Sequence, residues 1–183
     1  MLIAKQVSTQ NELQQILDLQ SLYLRGARSA EEEKEQGFLT VQHSFDALQQ
    51  MHSIEPSIIV KDGDTLAGYA LVMPKACSTI VPELLSLFED LEKLDYKGKP
   101  LQDYSFYVMG QICVAEAYRG LGVFAMLYQK HKEILQPHYD FIITEVATRN
   151  TRSMRAHQRV GFKQIHVHKN DWDEWAIVLW DWQ

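Results

Sequence analysis

The chain has 183 residues, of which 46% are hydrophobic and 23% charged, and a formal net charge of -6. That length and balance fit one folded domain, residues 1–183, with a substantial core, and exclude a disordered chain. The acidic excess disfavours binding to nucleic acid or anionic membrane surfaces, and no apolar run reaches the length of a membrane span.

The opening MLIAKQVSTQ turns polar after four residues and lacks the apolar core of a secretory signal. Two cysteines, Cys77 and Cys113, have neither metal-type spacing nor a disulfide framework, so a reducing cytoplasm is the expected setting. A short strand then leads into a helix that Ser8 or Thr9 is placed to cap, with Leu13, Ile16, Leu17, Leu22 and Leu24 on its apolar side. The stretch RSAEEEKEQG reads as a solvated loop or helix start, and residues 40–51 as a second helix. Two β-rich runs flank KDGD, whose Asp-Gly suits a tight hairpin turn.

Residues 75–104 form an insert, with a helix over 82–94 that has Pro82 in its first turn. SFYVMGQICVAEA is a long strand with a bulge expected at Gly110. An amphipathic helix follows and stops at Pro137, then the strand DFIITEVAT, a helix ending at Gly161, and two closing strands around KNDWD. The order β, α, α, β, β, insert, β, α, β, α, β, β gives an α/β domain with a helical insert before the fourth strand. The strand–helix–strand unit makes that part of its sheet parallel.

The chemistry concentrates at Arg119-Gly120-Leu121-Gly122, where a strand gives way to a helix. A helix N-terminus exposes unpaired amides and the positive end of the macrodipole, and glycines let a phosphate approach them closely. Arg119 adds a cation. With no lysine-serine pair for a nucleoside triphosphate, the stretch reads as a pyrophosphate cradle; the other reading is a tight turn with a surface arginine.

VAEAYRGLGV resembles the acetyl-CoA signature of the GNAT superfamily of N-acetyltransferases, Arg/Gln-x-x-Gly-x-Gly/Ala, with Arg119 and Gly122 at the first two positions and Phe124 in place of the third. EVATRNTRSMRAHQRVGF is similar to the family's next strand and helix, with Val146, Asn150, His157, Gly161 and Phe162 at the matching places and His157 where tyrosine is usual. The likeness is clear over residues 105–182. It implies a GNAT-like mixed twisted sheet flanked by helices, with a V-shaped opening near Val114 and Glu145.

Acetyl-CoA is then the implied cosubstrate, and no metal is implied. Its pyrophosphate would lie on the amides of Gly120, Leu121, Gly122 and Val123, beside Arg119. Its arm would lie along Cys113 and Val114 and reach Asn150, which equally suits a helix cap. The resemblance implies direct acetyl transfer to a primary amine of a small molecule or a peptide. Glu145 is the candidate base, and His157 the candidate acid or base. Their separation of 12 residues matches the Glu and Tyr pair of the ribosomal-protein N-terminal acetyltransferase branch. Phe124 either crowds the pyrophosphate or lines the helix core with Leu127 and Tyr128. A non-catalytic acyl-CoA-binding or protein-interaction domain is the competing reading.

Other signals carry less. Cys113 lies in an apolar strand with no adjacent base. His166 and His168 share a strand face without a third metal ligand. Trp172, Trp175, Trp180 and Trp182 suit core or oligomer packing, or an aromatic acceptor pocket. The insert is a candidate acceptor cover or homodimer surface.

Overall fold

The structure is a computed structural model, and it describes residues 1–27, 29, 31–32, 38–171 and 173–183. Residues 28, 30 and 33–37 of the RSAEEEKEQG stretch and Trp172 therefore lie outside the described residues. Seven strands make one sheet in the order β1-β2-β3-β6-β7-β9-β8. These are β1 (Leu2–Gln6), β2 (Ile58–Asp62), β3 (Thr65–Met73), β6 (Phe106–Val114), β7 (Phe141–Ala147), β8 (Lys163–Lys169) and β9 (Glu174–Asp181). Only β6 and β7 pair in parallel, and the other neighbours are antiparallel. This is an α/β domain as the element order implies, with the mixed sheet that the family resemblance implies.

Helices α1 (Gln10–Ser21), α2 (Phe45–Ile54) and α3 (Pro82–Leu91) belong to one face, and α4 (Val123–Leu135) and α5 (Thr151–Val160) to the other. The first core gathers Leu13, Ile16, Leu48, Phe88, Phe141 and Ile143; the second gathers Leu127, Tyr128, Ile142, Phe162, Trp180 and Trp182. The alternation along β7 explains the division: Phe141, Ile143 and Glu145 take one side of the pleat, Ile142, Thr144 and Val146 the other.

Thr9 caps α1 in a reciprocal box with Glu12. The apolar side of α1 differs from the sequence expectation. Leu22, the C-cap residue, keeps helical dihedrals but lies half a turn round from Leu13 and is exposed, while Leu24 pairs with Leu39 in an isolated bridge. Leu19, Gln20 and Tyr23 are buried in their stead. The insert holds α3 with Pro82 at its start, then a small hairpin of β4 (Asp95–Tyr96) and β5 (Lys99–Pro100).

The β6 bulge falls where glycine suggested it. Ala70 pairs with Ile112 but Val72 with Met109, leaving Gly110 and Gln111 together opposite Leu71. A Cβ on Gly110 would sit 2.0 Å from the Met73 sulfur, so the bulge accepts only glycine without displacing Met73.

Candidate functional site

The parallel ladder of β6 and β7 is short. It runs from Phe106↔Phe141 to Val108↔Ile143, yet the strands continue to Val114 and Ala147. Beyond the last pair they part, and a cavity of about 570 Å³ opens between them. Its walls include Met109–Val114 from one strand and Thr144–Ala147 from the other, with Gly120, Gly122, Phe124, Asn150 and His157 at one side and Tyr23, Phe38 and Trp175 at another. At the point of parting, the Thr144 hydroxyl donates to the Met109 carbonyl at 2.8 Å.

Residues 119–123 end the cavity at the N-terminus of α4. Gly122 is the N-cap residue, with φ 83, and Gly120 has φ 78, a region that glycine enters without strain. Thr9, Ser44 and Asn150 each accept a bond from an amide of the helix they open, at 3.2, 3.1 and 3.0 Å, and Gly122 has no side chain with which to do so. A Cβ built at Gly120 or Gly122 meets nothing within 4 Å. The approach to the first-turn amides of α4 is therefore open, as an anion site requires.

Arg119 belongs to the same wall. Its Nε donates to the Val114 carbonyl at 3.3 Å, and its guanidinium lies 5.0 Å from the centre of the Tyr23 ring. The Tyr23 hydroxyl accepts from the Glu116 amide at 2.8 Å, which ties α1 to this turn. Cys113, Val114 and Val123 line the cavity, the Val123 side chain being also buried in the core, whereas Leu121 turns its own outward, 58% exposed. Asn150 lines the cavity while capping α5 through the Ser153 amide. Phe124 is half-buried, its ring 5.1 Å from both Tyr128 and His157, so it leans toward α5 as it lines the wall.

His157 is 1% exposed. Its Nδ1 lies 2.8 Å from the Ser153 carbonyl, which can only accept, so Nδ1 carries the proton. Nε2 then accepts from the Tyr128 hydroxyl at 2.7 Å. Burial pushes the His157 pKa down to about 4, against the opposing Ser153 bond, and the ring is neutral near pH 7. Tyr128 is itself buried, which raises its pKa well above the usual phenol value.

Glu145 lies on the opposite side of the sheet and lines the cavity with a partly exposed side chain. Burial raises its pKa, while a 2.5 Å hydrogen bond to His168 Nε2 opposes that rise. In the sequence His168 stands out only as sharing a strand face with His166, without a third metal ligand. Among the described residues, no group of three His, Cys, Asp or Glu could hold a metal ion.

Another missed feature is a buried polar network beneath the bulge. Gln111 Oε1 accepts from Gln20 and from the Tyr69 hydroxyl, both at 2.6 Å, and its amide donates to the Val41 carbonyl at 2.8 Å. Gln20 Oε1 in turn accepts from the His43 amide at 2.7 Å. Its only sequence trace was a glutamine beside Gly110 in an apolar strand.

Comparison with known proteins accords with this architecture. The acetyltransferase (GNAT) family model matches residues 13–162. No curated protein matches the chain in sequence. Among solved structures, the ribosomal-protein-S18-alanine N-acetyltransferase from Escherichia coli is similar over 99% of this chain and 94% of that one, with TM-score 0.64 and 11% identity. The protein yncA from Salmonella typhimurium with its cofactor acetyl-CoA matches over 100% of this chain and 94% of that one, at TM-score 0.63 and 11% identity. A chain of the NatC complex bound to Gag peptide and CoA matches over 100% and 99%, at TM-score 0.65 and 11% identity. At such identities the likeness speaks for the fold, and the family follows from the family model: the chain belongs to the GNAT family of acetyltransferases.

Proposed function

We propose that the protein transfers an acetyl group from acetyl-CoA directly to a primary amine of a small molecule or a peptide. The observation that carries this reading is the parting of β6 and β7 into a cavity that ends at the glycine-opened N-terminus of α4. A pantetheine arm fits such an opening as an added strand would, and a pyrophosphate fits the amides of residues 120–123 beside Arg119. Cys113 and Val114 would flank the arm and Asn150 would reach it, its cap bond using only its carbonyl oxygen. A main-chain amide near Val114 would stabilise the oxyanion. Similar structures that hold acetyl-CoA or CoA support the choice of cosubstrate.

Acetyl-CoA would supply the thioester carbonyl carbon that the amine attacks. Glu145 takes the amine's proton as the C–N bond forms and the C–S bond breaks. The departing sulfur takes up one proton, so the exchange balances. An α-amine, with an ordinary pKa of about 7.7 to 8.0, asks less of this carboxylate than a lysine amine at about 10.4. We assign His157 to the wall rather than to the acid: its one proton is committed to Ser153 and its other nitrogen to Tyr128. Cys77 and Cys113, both buried thiols outside any disulfide, support a reducing cytoplasm as the setting. Among the described residues, no helix is long and apolar enough to cross a membrane.

The test begins with thermal unfolding in acetyl-CoA. Ligand at 100 times its dissociation constant stabilises by about 2.7 kcal/mol, a shift of roughly 5 to 10 °C. A shift seen with acetyl-CoA and not with adenosine supports the cradle. A screen of amines and peptides by mass spectrometry should then find products gaining one acetyl group. Binding without turnover across a broad panel would favour the non-catalytic reading.

A further inference from the structure

Glu145 and His168 meet because of an irregularity in β8. On the middle strand β9, Ile177 faces Glu145 on one side and His166 on the other, and Trp175 faces His168. The β8 register shifts between Gln164 and His166, which leaves Ile165 as an extra residue. Without it, the Lys163↔Leu179 and Gln164↔Val178 pairs would continue as Ile165 opposite Ile177 and Val167 opposite Trp175. The bulge keeps Ile165 against the core of that face, turns Val167 away to solvent, and sets His166 and His168 on the face that carries Glu145. His168 then reaches diagonally across β9 and brings Nε2 to 2.5 Å from Glu145 Oε1.

We propose that His168 is the positioning residue for Glu145, and that the β8 bulge is the device that delivers it. Two lone pairs cannot face each other at this distance, so a proton lies between them. In the working state Nε2–H donates to Oε1, and the other carboxylate oxygen is left for the amine's proton. The bond holds the carboxylate in one orientation and keeps it ionised despite its burial. The inference rests on the reading of Glu145 as the base. Other titratable groups on this face are His166 on β8 and, from α3, Asp90, which is paired with Lys93. Asp90 acts against ionisation of Glu145, and His168 acts for it. On β9 the nearby carboxylate Glu174 is taken up by Lys169 and Thr148.

The pairing can be read without knowing the acceptor. Carbon NMR of the whole chain, labelled at glutamate side-chain carboxyls, follows the Glu145 titration in wild type, His168→Ala and His168→Gln. The expected result is a midpoint about one pH unit higher in His168→Ala, largely restored by His168→Gln, whose amide still donates. His166→Gln, as control, leaves the midpoint near that of wild type. Nitrogen NMR of wild type needs no variant, and should find His168 protonated at Nε2; a bare Nε2 overturns the proposal. With an amine from the screen, the acid limb of kcat/KM should move upward with the NMR midpoint, and kcat should fall about 10-fold or more in His168→Ala. Equal midpoints in wild type and His168→Ala overturn the inference, as does a shifted midpoint with unchanged kinetics. Glu145→Gln tests the underlying reading separately, since retained turnover there removes the base role of Glu145 whatever His168 does.

Discussion

Thr144 donates its hydroxyl hydrogen bond to the Met109 carbonyl at 2.8 Å, and each residue is the first beyond the last pair of its strand. The bond therefore stands at the apex of the opening, where main-chain pairing ceases and the cavity begins. Replacing Thr144 by valine keeps the shape and removes the donor, leaving a buried carbonyl without this partner. We expect a stability loss of about 1–3 kcal/mol by denaturant titration. Acetyl-CoA affinity, measured by calorimetry, should fall with it, because the apex sets the separation of the strands.

Gly122 opens α4 at φ 83. Gly122→Ala should cost about 1–2 kcal/mol from the left-handed backbone alone. The added methyl meets no protein atom within 4 Å, so the space it takes is that of the proposed pyrophosphate site. Acetyl-CoA affinity should drop at least about 10-fold, corresponding to about 1.4 kcal/mol. An unchanged affinity in calorimetry would place the pyrophosphate elsewhere.

Phe124 packs its ring against Tyr128 and His157 while lining the cavity. Phe124→Ala should lower the unfolding temperature by removing half-buried contacts, at a cost of about 1–3 kcal/mol. Its affinity for coenzyme A should be equal to or better than that of wild type. A clear loss would mean that the ring supports the ligand rather than crowding it.

The buried imidazoles give stability a definite pH dependence. Folding pushes His157 from its ordinary value near 6.5 down to about 4, and His131 down to about 3, both chiefly through burial. Between those limits the unfolded chain binds protons that the folded chain does not. Their contribution is fully present above about pH 6.5 and is lost as pH falls toward 4, by about 3 kcal/mol for His157 alone at about 1.4 kcal/mol per pKa unit. Urea unfolding at pH 7 and pH 5 should show the decline, and His157→Gln should flatten its part.

Gln111→Leu leaves the Tyr69 hydroxyl and the Gln20 amide without their shared acceptor. Both are buried, so a destabilisation of about 2–4 kcal/mol is expected from two unmet donors. Tyr69→Phe in that background should recover part of the loss by removing one of them. A double-mutant cycle measures that coupling.

Local order was legible in the sequence wherever neighbours along the chain decide it. The two glycines after Arg119, the cap at Thr9, Pro82 at the start of α3, Gly161 at the end of α5 and the apolar alternation of β7 each report a short-range constraint of backbone geometry or period. They sufficed for the element order, the parallel strand–helix–strand unit and the anion-ready turn, while the resemblance to the GNAT family supplied the mixed sheet and the candidacy of Glu145. Tertiary structure alone decided what those residues meet. His168 reaches Glu145 across an intervening strand only because one extra residue in β8 reverses which side chains face it, a parity that neither strand states by itself. Gln20 and Gln111, 91 residues apart, share a bond because α1 packs where β6 bulges. His157 loses its ordinary titration because Tyr128 and the surrounding core exclude water from it. Strand register, burial and pairing across the sheet depend on the whole fold, and there the chemistry of the site is set.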